Sequence, residues 1–368
     1  MGTTSRNVLK DFGNEWLDLL MAYRQLNKML GTYYQPILNM LDKNSKLHGN
    51  LNQIGTRTGR LSSSEPNLQN LPVRSPLKNK IALESVKRVK RFFSAPDGEV
   101  LLGADMSQAE LRTIANVSGD PTMIKAYLQG TDLHTLTASR IHGSTYEDFL
   151  KLKADANDVF TLFRTMAKGA NFGLVYGAGP TTYMAYLAQN YGVVITPDEE
   201  KVHRNALFGV YRGLKPWHQL YEAKLQKFGY VRTLFGRKRN LPDIFIKGSD
   251  RESWGLRSKA LRNAINSPIQ GTSAEYCLLA MVLIRWRLHN ILKLINNIHD
   301  ATYGTNKPTH NLWVAAIFGE TFTKLPIEKL FDIGKDRSPV PMGIDISVGP
   351  NWAELEDVKY VPYEEVPW

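Results

Sequence analysis

The chain has 368 residues, 43% hydrophobic and 22% charged, which suits a globular protein of two or three subdomains and excludes a disordered or fibrous one. Lysine and arginine number 46 against 35 aspartates and glutamates, a net +11, so a polyanion is the favoured class of partner. A single cysteine, Cys277, excludes an intrachain disulfide and a cysteine-rich zinc site. No apolar stretch is long enough to cross a bilayer, and Met1 to Asn14 lacks a secretory apolar core. The expected setting is therefore a reducing, aqueous compartment: cytoplasmic, not secreted, with no membrane partner.

In chain order, residues 15–42 read as helix, with Trp16, Leu19, Leu20, Tyr23, Leu26 and Leu30 at three- and four-residue spacing. From Asn44 to Arg74 the chain turns polar and rich in Gly, Ser, Asn and Pro, which predicts an extended, loop-rich segment. Lys78, Lys80, Lys87, Arg88, Lys90 and Arg91 follow, open to two readings, a solvated face or a phosphate-facing one. The apolar run from Glu99 to Asp105, after the turn Pro96-Asp97-Gly98, predicts a buried strand. Ser107 stands where an N-cap would, with Glu110 three residues on, a capping-box start to a helix. Residues 119–250 read as mainly helical, with breaks at Gly130, Gly143, Gly177 to Pro180, Gly192 and Gly213. Arg257 to Leu292 carries another long helical pattern, with Cys277 as a buried thiol in its apolar run. Lys293 to Tyr303 predicts a β-hairpin turning at Asn296-Asn297, followed by a helical stretch over 306–336 and a last strand from Gly343 to Val348. The acidic, Pro-containing tail 353–368 is expected to pack loosely.

Three segments stand out chemically. The first is Asp105-Met-Ser-Gln-Ala-Glu110-Leu-Arg112: a carboxylate at the end of a buried strand is costly unless it is paired or holds a metal. Asp300 has a similar place in the predicted hairpin, and two such acids on adjacent strands could bind a pair of Mg²⁺ ions. Taken singly, each aspartate reads better as a turn cap. The second segment runs from Arg164 through Lys168 and Phe172 to Tyr176, four residues apart each time. Each step of four drifts only about 40° around a helix, so the four side chains form one slowly turning stripe. Two cations followed by two aromatics suit a triphosphate, then a sugar and base. An ordinary amphipathic helix would not place its cations on the aromatic face. The third segment, Thr56-Arg-Thr-Gly-Arg60 through Asn67, Gln69 and Asn70 to Pro72, is rich in hydrogen-bonding groups, as a loop gripping a nucleic-acid backbone would be. The glycines near Tyr176 fit neither a P-loop nor a dinucleotide fingerprint; Gly177 and Gly179 more simply end a helix.

These segments together resemble the family A DNA polymerases, the polymerase I type. Asp-Met-Ser-Gln-Ala-Glu-Leu-Arg resembles that family's motif A, Arg-x₃-Lys-x₃-Phe-x₃-Tyr-Gly its motif B, and Ile298-His-Asp300 its motif C. Thr-Gly-Arg-Leu-Ser-Ser-Ser-x-Pro-Asn-Leu-Gln-Asn-Leu-Pro, Gly236-Arg-Lys-Arg239 and Asn266-Ser-Pro-Ile-Gln270-Gly-Thr are also shared, in the family's order, from about residue 20 to Trp352. The resemblance implies an α+β right-hand polymerase fold with an antiparallel-sheet palm, helical fingers and a partial thumb. Its implied ranges are 1–50 for the partial thumb and connector helices, 51–118 and 255–368 for the palm, and 119–254 for the fingers. It implies a DNA-directed DNA polymerase extending a primer 3′-hydroxyl with deoxynucleoside triphosphates. Asp105, Asp300 and Lys168 would be catalytic. Asp105, Asp300 and the Met106 carbonyl would hold two Mg²⁺ ions, for which Mn²⁺ is a substitute. Arg164, Lys168 and His134 would meet the triphosphate, with Gln108 in the same nucleotide-binding set. Phe172 would pack on the incoming nucleotide and predicts discrimination against dideoxynucleotides, Tyr176 would sit near the templating position, and Glu110 would be the steric gate against a 2′-hydroxyl. Arg60, Asn67, Gln69, Asn70, Arg262, Asn266, Gln270 and His299 would contact primer-template DNA.

Three departures from the pattern matter. Ala301 replaces the glutamate that usually follows the motif C aspartate, and His-Asp-Ala-Thr-Tyr-Gly is similar to the related single-subunit phage-type RNA polymerases. Glu275 stands where aspartate is common. The first half of the thumb and the proofreading exonuclease find no counterpart, so they lie on another polypeptide, are cut away, or are dispensed with. A separate chain supplying exonuclease, thumb or processivity function is thus an expected partner, and a phage or other mobile element, with its bacterial host cytoplasm, an expected source. Two alternatives stay open: an RNA polymerase, and a non-catalytic nucleic-acid-binding subunit.

Overall fold

The computed structural model describes residues 15–71, 80–155, 158–331 and 339–359. Residues 1–14, Pro72, Arg74, Lys78, the end of the helix expected to reach 336 and the tail beyond 359 lie outside the described residues. Nine strands occur among those described: β1 Asn50–Asn52, β2 Ser62–Ser64, β3 Val100–Ser107, β4 Tyr230–Arg232 and β5 Lys238–Asn240. After them come β6 Lys293–Ile298, β7 Ala301–Asn306, β8 Gly343–Gly349 and β9 Glu356–Val358. Helices fill most of the rest, so the protein is of the α+β class. It divides into two compact units: Met1–Ser107 with Ala274–Leu325 and Gly343–Trp368, and Gln108–Ser273 with Pro326–Met342.

The first unit is built on an antiparallel five-stranded sheet in the order β6-β7-β3-β8-β9. The apolar run of β3 explains its central place, since Leu101, Leu102 and Ala104 are all buried. The helix Asn311–Thr323, buried on nearly every side, packs on β8. The part of the helix Arg251–Arg287 beyond Ala274 brings Cys277 to 3.8 Å from Thr302 of β7. Burial pushes that thiol up to about 12, so it is the inert core thiol the sequence predicts. A second cluster joins Met29, Ile37, Leu71, Val86 and Val89, with Phe93 and Trp352 against it. Of the apolar row that suggests the first helix, Glu15–Met29, Trp16, Leu19, Leu20 and Tyr23 are exposed and Leu26 is half-buried, while Met21, Ala22 and Met29 are buried; Leu30, just beyond it, is exposed.

Helices compose most of the second unit, and its caps are where turn chemistry places them. Asp120, Asp132, Thr145 and Thr196 each accept a backbone N–H at a helix start, Thr196 in a full capping box with Glu199. The breaks expected at Gly143 and Gly192 are left-handed helix ends. Leu111, Ile114, Phe149, Leu174, Tyr183, Leu187, Leu207 and Tyr211 form the core.

Four expectations need correction. Ser107 is not an N-cap: its pairing with Gly343 extends β3 to that residue, and Gln108, in a left-handed conformation, makes the turn into the helix Ala109–Ser118 without a side-chain cap. Nor does the hairpin turn at Asn296-Asn297, which lie within β6; it turns at His299-Asp300, where His299 adopts φ 54°. Buried Asn297 satisfies its amide on the Ala301 carbonyl, which holds it in the strand. The helix of the Arg164 stripe ends at Gly173, leaving Tyr176 in the turn that follows. The stretch 119–250 is mainly helical as expected, with the short hairpin β4–β5 inside it, whereas the strand β9 pairs part of the tail expected to pack loosely.

Candidate active site

The first unit carries the acids. β3 ends in a register that sets Asp105 opposite Ala301 on one side and Asp345 on the other, so all three side chains share one face. Asp300 occupies the turn between β6 and β7, and its carbonyl accepts from the Met106 N–H at 3.1 Å. Asp105 is solvent-accessible as a residue, yet its carboxyl is hemmed in. Burial first, then the neighbouring charges of Asp300 and Asp345, push it up to about 6, against a backbone N–H from Met106. Arg60 lies on the Asp300 carboxylate, with one terminal nitrogen 3.3 Å from each oxygen. That guanidinium comes from the polar loop after β1, which β1 and β2 hold as a small antiparallel ladder.

The second unit carries the cations and aromatics. Arg164 and Lys168 lie one turn apart on the helix Asp158–Gly173, both half-buried. Asp132 grips Arg164 through two bonds, at 3.0 Å from Nε and 2.8 Å from a terminal nitrogen. Burial alone would raise the Asp132 carboxyl; hydrogen bonds from Thr135 and Arg164 outweigh it and hold the group below the usual carboxylate range. Two residues on, buried His134 is held down to about 4, chiefly by burial, with Arg164 and Lys168 pushing the same way and Asp132 opposing. Its ring lies 5.7 Å from that of Phe172. Tyr176 donates its hydroxyl proton to Glu110, and Tyr127 donates to Gln108 at 3.0 Å. Farther along, Arg262, Asn266 and Gln270 fall four residues apart on the helix Arg251–Arg287. Asn266 Oδ1 is buried with no hydrogen-bond partner among the described residues, an acceptor left over for something else.

Residues 2–354 match the family model described as DNA polymerase family A. The chain belongs to that family. It is 33% identical to the thermostable DNA polymerase I of Thermus thermophilus over 93% of its own length and 37% of that protein's. To the DNA polymerase I of Chloroflexus aurantiacus it is 34% identical, covering 91% of itself and 32% of the relative. It thus spans about a third of the length of the curated relatives it matches. Among solved structures it is similar to the polymerase domain of Pol1 from M. smegmatis, in complex with DNA primer-template and dNTP, with a TM-score of 0.76 and 27% identity. That match covers 95% of this chain and 56% of the other.

Family A polymerases generally use divalent metal ions, and the donor set here fits a hard cation: crowded carboxylates, one of them pushed up by burial and then by its acidic neighbours. Among the described residues no three of His, Cys, Asp or Glu form a ready-made metal group. The arrangement is a pair, Asp105 and Asp300, with Asp345 beside it. Ala301, buried next to Asp300, leaves the usual glutamate's position apolar. Asp345 escaped the sequence reading. Its signal was an acid between Ile344 and Ile346, on the open face of an alternating strand. Of the expected DNA contacts in the first unit, Asn67, Asn70 and His299 are exposed. Gln69 is buried, its amide nitrogen 3.1 Å from the Asn297 carbonyl, so it ties the loop to β6.

Proposed function

We propose that this chain carries out template-directed DNA synthesis: a primer 3′-hydroxyl attacks the α-phosphate of a deoxynucleoside triphosphate and pyrophosphate leaves. The observation that carries the proposal is the crowded acid pair Asp105 and Asp300, on the motifs of a family match running from 2 to 354. In this reading Asp105 and Asp300, with the Met106 carbonyl, hold two Mg²⁺ ions, for which Mn²⁺ is a substitute. When bound, such ions lower the pKa of the attacking hydroxyl and neutralise charge on the leaving group. The chain's own residues do the positioning. Arg164 and Lys168 bind the triphosphate, and Asp132 keeps the Arg164 fork oriented before it arrives. Phe172 packs on the nucleotide, while Gln108 and Tyr176 complete its surroundings. Glu110, held by the Tyr176 hydroxyl, stands where a 2′-hydroxyl would need room, which favours deoxy- over ribonucleotides.

Primer-template DNA is the proposed partner, met by Arg60, Asn67, Asn70 and His299 from the first unit, whose loop the buried Gln69 ties to β6, and by Arg262, Asn266 and Gln270 from the second. This reading takes 51–118 with 255–368 as palm, 119–254 as fingers and 1–50 as partial thumb, whereas the two compact units divide the chain after Ser107 and after Ser273, so that 108–118 and 255–273 fall in the second. No residue described here is assigned to an editing step.

Primer extension with purified protein tests the reading. Asp105→Ala should abolish Mg²⁺-dependent incorporation while leaving duplex binding largely intact; full activity in that variant would sink the metal assignment. Glu110→Ala should extend with ribonucleotides roughly 10–200-fold more readily relative to deoxynucleotides, the range expected from relieving a shape constraint. Unchanged discrimination would overturn the steric-gate role.

A further inference from the structure

His134 is anchored from behind by a chain of buried polar groups. Asn171, on the helix Asp158–Gly173, is 1% exposed and places its amide nitrogen 2.9 Å from His134 Nδ1. Its amide oxygen accepts from Thr137 Oγ1 at 3.0 Å, and Thr137 in turn lies 3.0 Å from the Tyr211 hydroxyl. That hydroxyl also lies 3.1 Å from the Leu133 carbonyl. Thr137 and Tyr211 are buried as fully as Asn171. No other ring-nitrogen bond of His134 occurs among the described residues, so Nε2 is left for a ligand.

Proton bookkeeping allows this chain two directions. In one, Thr137 donates to the Asn171 oxygen and the Asn171 amide to His134 Nδ1, while Tyr211's one proton goes to the Leu133 carbonyl or to Thr137, not both; the ring's one proton is then on Nε2. In the other, Tyr211 donates to the Leu133 carbonyl, Thr137 to Tyr211, a flipped Asn171 to Thr137, and His134 Nδ1–H to the amide oxygen. Nε2 would then present a lone pair. Only the first direction offers an anion a donor without charging the ring. Burial chiefly disfavours charging it, and Arg164 and Lys168 nearby add to that against the pull of Asp132.

We propose that Asn171 is a positioning residue: it accepts Thr137's proton, donates to His134 Nδ1, and so fixes the neutral imidazole with Nε2–H aimed at a phosphate oxygen. The inference rests on the reading of His134 as a phosphate contact. It divides labour between the groups at the triphosphate. Arg164 and Lys168 supply charge, whereas His134 supplies a directed, neutral hydrogen bond whose proton is already in place.

The test is ¹⁵N-histidine NMR on the whole chain, with the His134 signals assigned by their loss in His134→Gln. Wild type at neutral pH should show Nδ1 unprotonated and Nε2 protonated; the opposite tautomer, or an imidazolium, would overturn the proposal. Asn171→Leu keeps much of the volume but removes the donor, and should shift or mix the tautomer. Asn171→Asp should draw a proton onto Nδ1, because a carboxylate only accepts there. An unaltered tautomer in both variants would equally overturn it. Should either variant fail to fold by circular dichroism, the wild-type tautomer alone still decides. Binding of a deoxynucleoside triphosphate gives the separate functional readout. Asn171→Leu should weaken it roughly tenfold, the scale of one hydrogen bond to a charged group. If His134→Gln binds the triphosphate as wild type does, the phosphate-contact reading fails while the tautomer result still stands by itself.

Discussion

Asp105 holds a proton more tightly in the folded protein than in the unfolded chain, because burial and the charges of Asp300 and Asp345 oppose its ionisation. Its folded value of about 6 lies above the ordinary carboxylate value of about 4. A raised carboxyl contributes stability that is fully present below the unfolded value and is lost as pH climbs through the folded one. Metal-free protein should therefore lose thermal stability between about pH 4 and 6, and Asp105→Asn should flatten that slope in melts run with a chelator. Equal slopes in the two proteins would show that Asp105 is not strained. With divalent ions present the same carboxyl must give up its proton, so incorporation should fall as pH drops below about 6. The sequence made Asp105 legible because it ends an apolar run, where a carboxylate needs a reason to be, and Asp300 because it stands in a predicted hairpin within a recognisable motif. Asp345 was not legible. Only the register of β3 with β8 brings it beside Asp105 from 240 positions away, and no local pattern encodes that pairing.

At the scale of elements, the end of β8 is the tightest place in the first unit. A Cβ on Gly349 would stand 2.0 Å from the Glu354 carbonyl oxygen and 2.8 Å from its carbon, both main-chain atoms that cannot swing aside. The turn it permits returns the chain so that Ala95 N–H reaches the Pro350 carbonyl and Trp352 N–H the Phe93 carbonyl, with the Trp352 ring against Phe93 and Tyr303. Gly349→Ala should cost about 3 kcal/mol or more in denaturant unfolding, the upper end for overpacking. Gly31, with nothing within 4 Å of its would-be Cβ, is the control, and Ala there should be neutral or stabilising by up to about 1 kcal/mol. Elements of this kind separate what the sequence encodes locally from what it does not. β3, β8 and the long helix Arg251–Arg287 follow from apolar runs and periodicity. The hairpin turn does not, because Asn-Asn is good turn chemistry and His-Asp is not. The buried amide of Asn297 settles the matter in favour of strand, a tertiary effect.

For the whole molecule, +11 is the sum over a chain whose proposed metal acids count against it, so the surplus available to phosphate is carried elsewhere. If duplex DNA is the partner, affinity should fall steeply with salt, by about a thousandfold or more between 50 and 200 mM for six or more phosphate contacts. The row Arg262, Asn266 and Gln270 lets that bulk property be resolved by residue. Arg262 is exposed and can pair with a phosphate, whereas Asn266 offers a buried, unpartnered oxygen suited to a donor on a base edge or sugar. Arg262→Ala should weaken binding and lower the slope of log affinity against log salt by roughly one, since one counterion fewer is released. Asn266→Leu should weaken binding, by about 1 kcal/mol or a little more, and leave the slope unchanged, because no charge is exchanged. Titrations of a labelled primer-template over several salt concentrations give both numbers at once. A slope change in Asn266→Leu, or none in Arg262→Ala, would reassign which of the two meets the backbone.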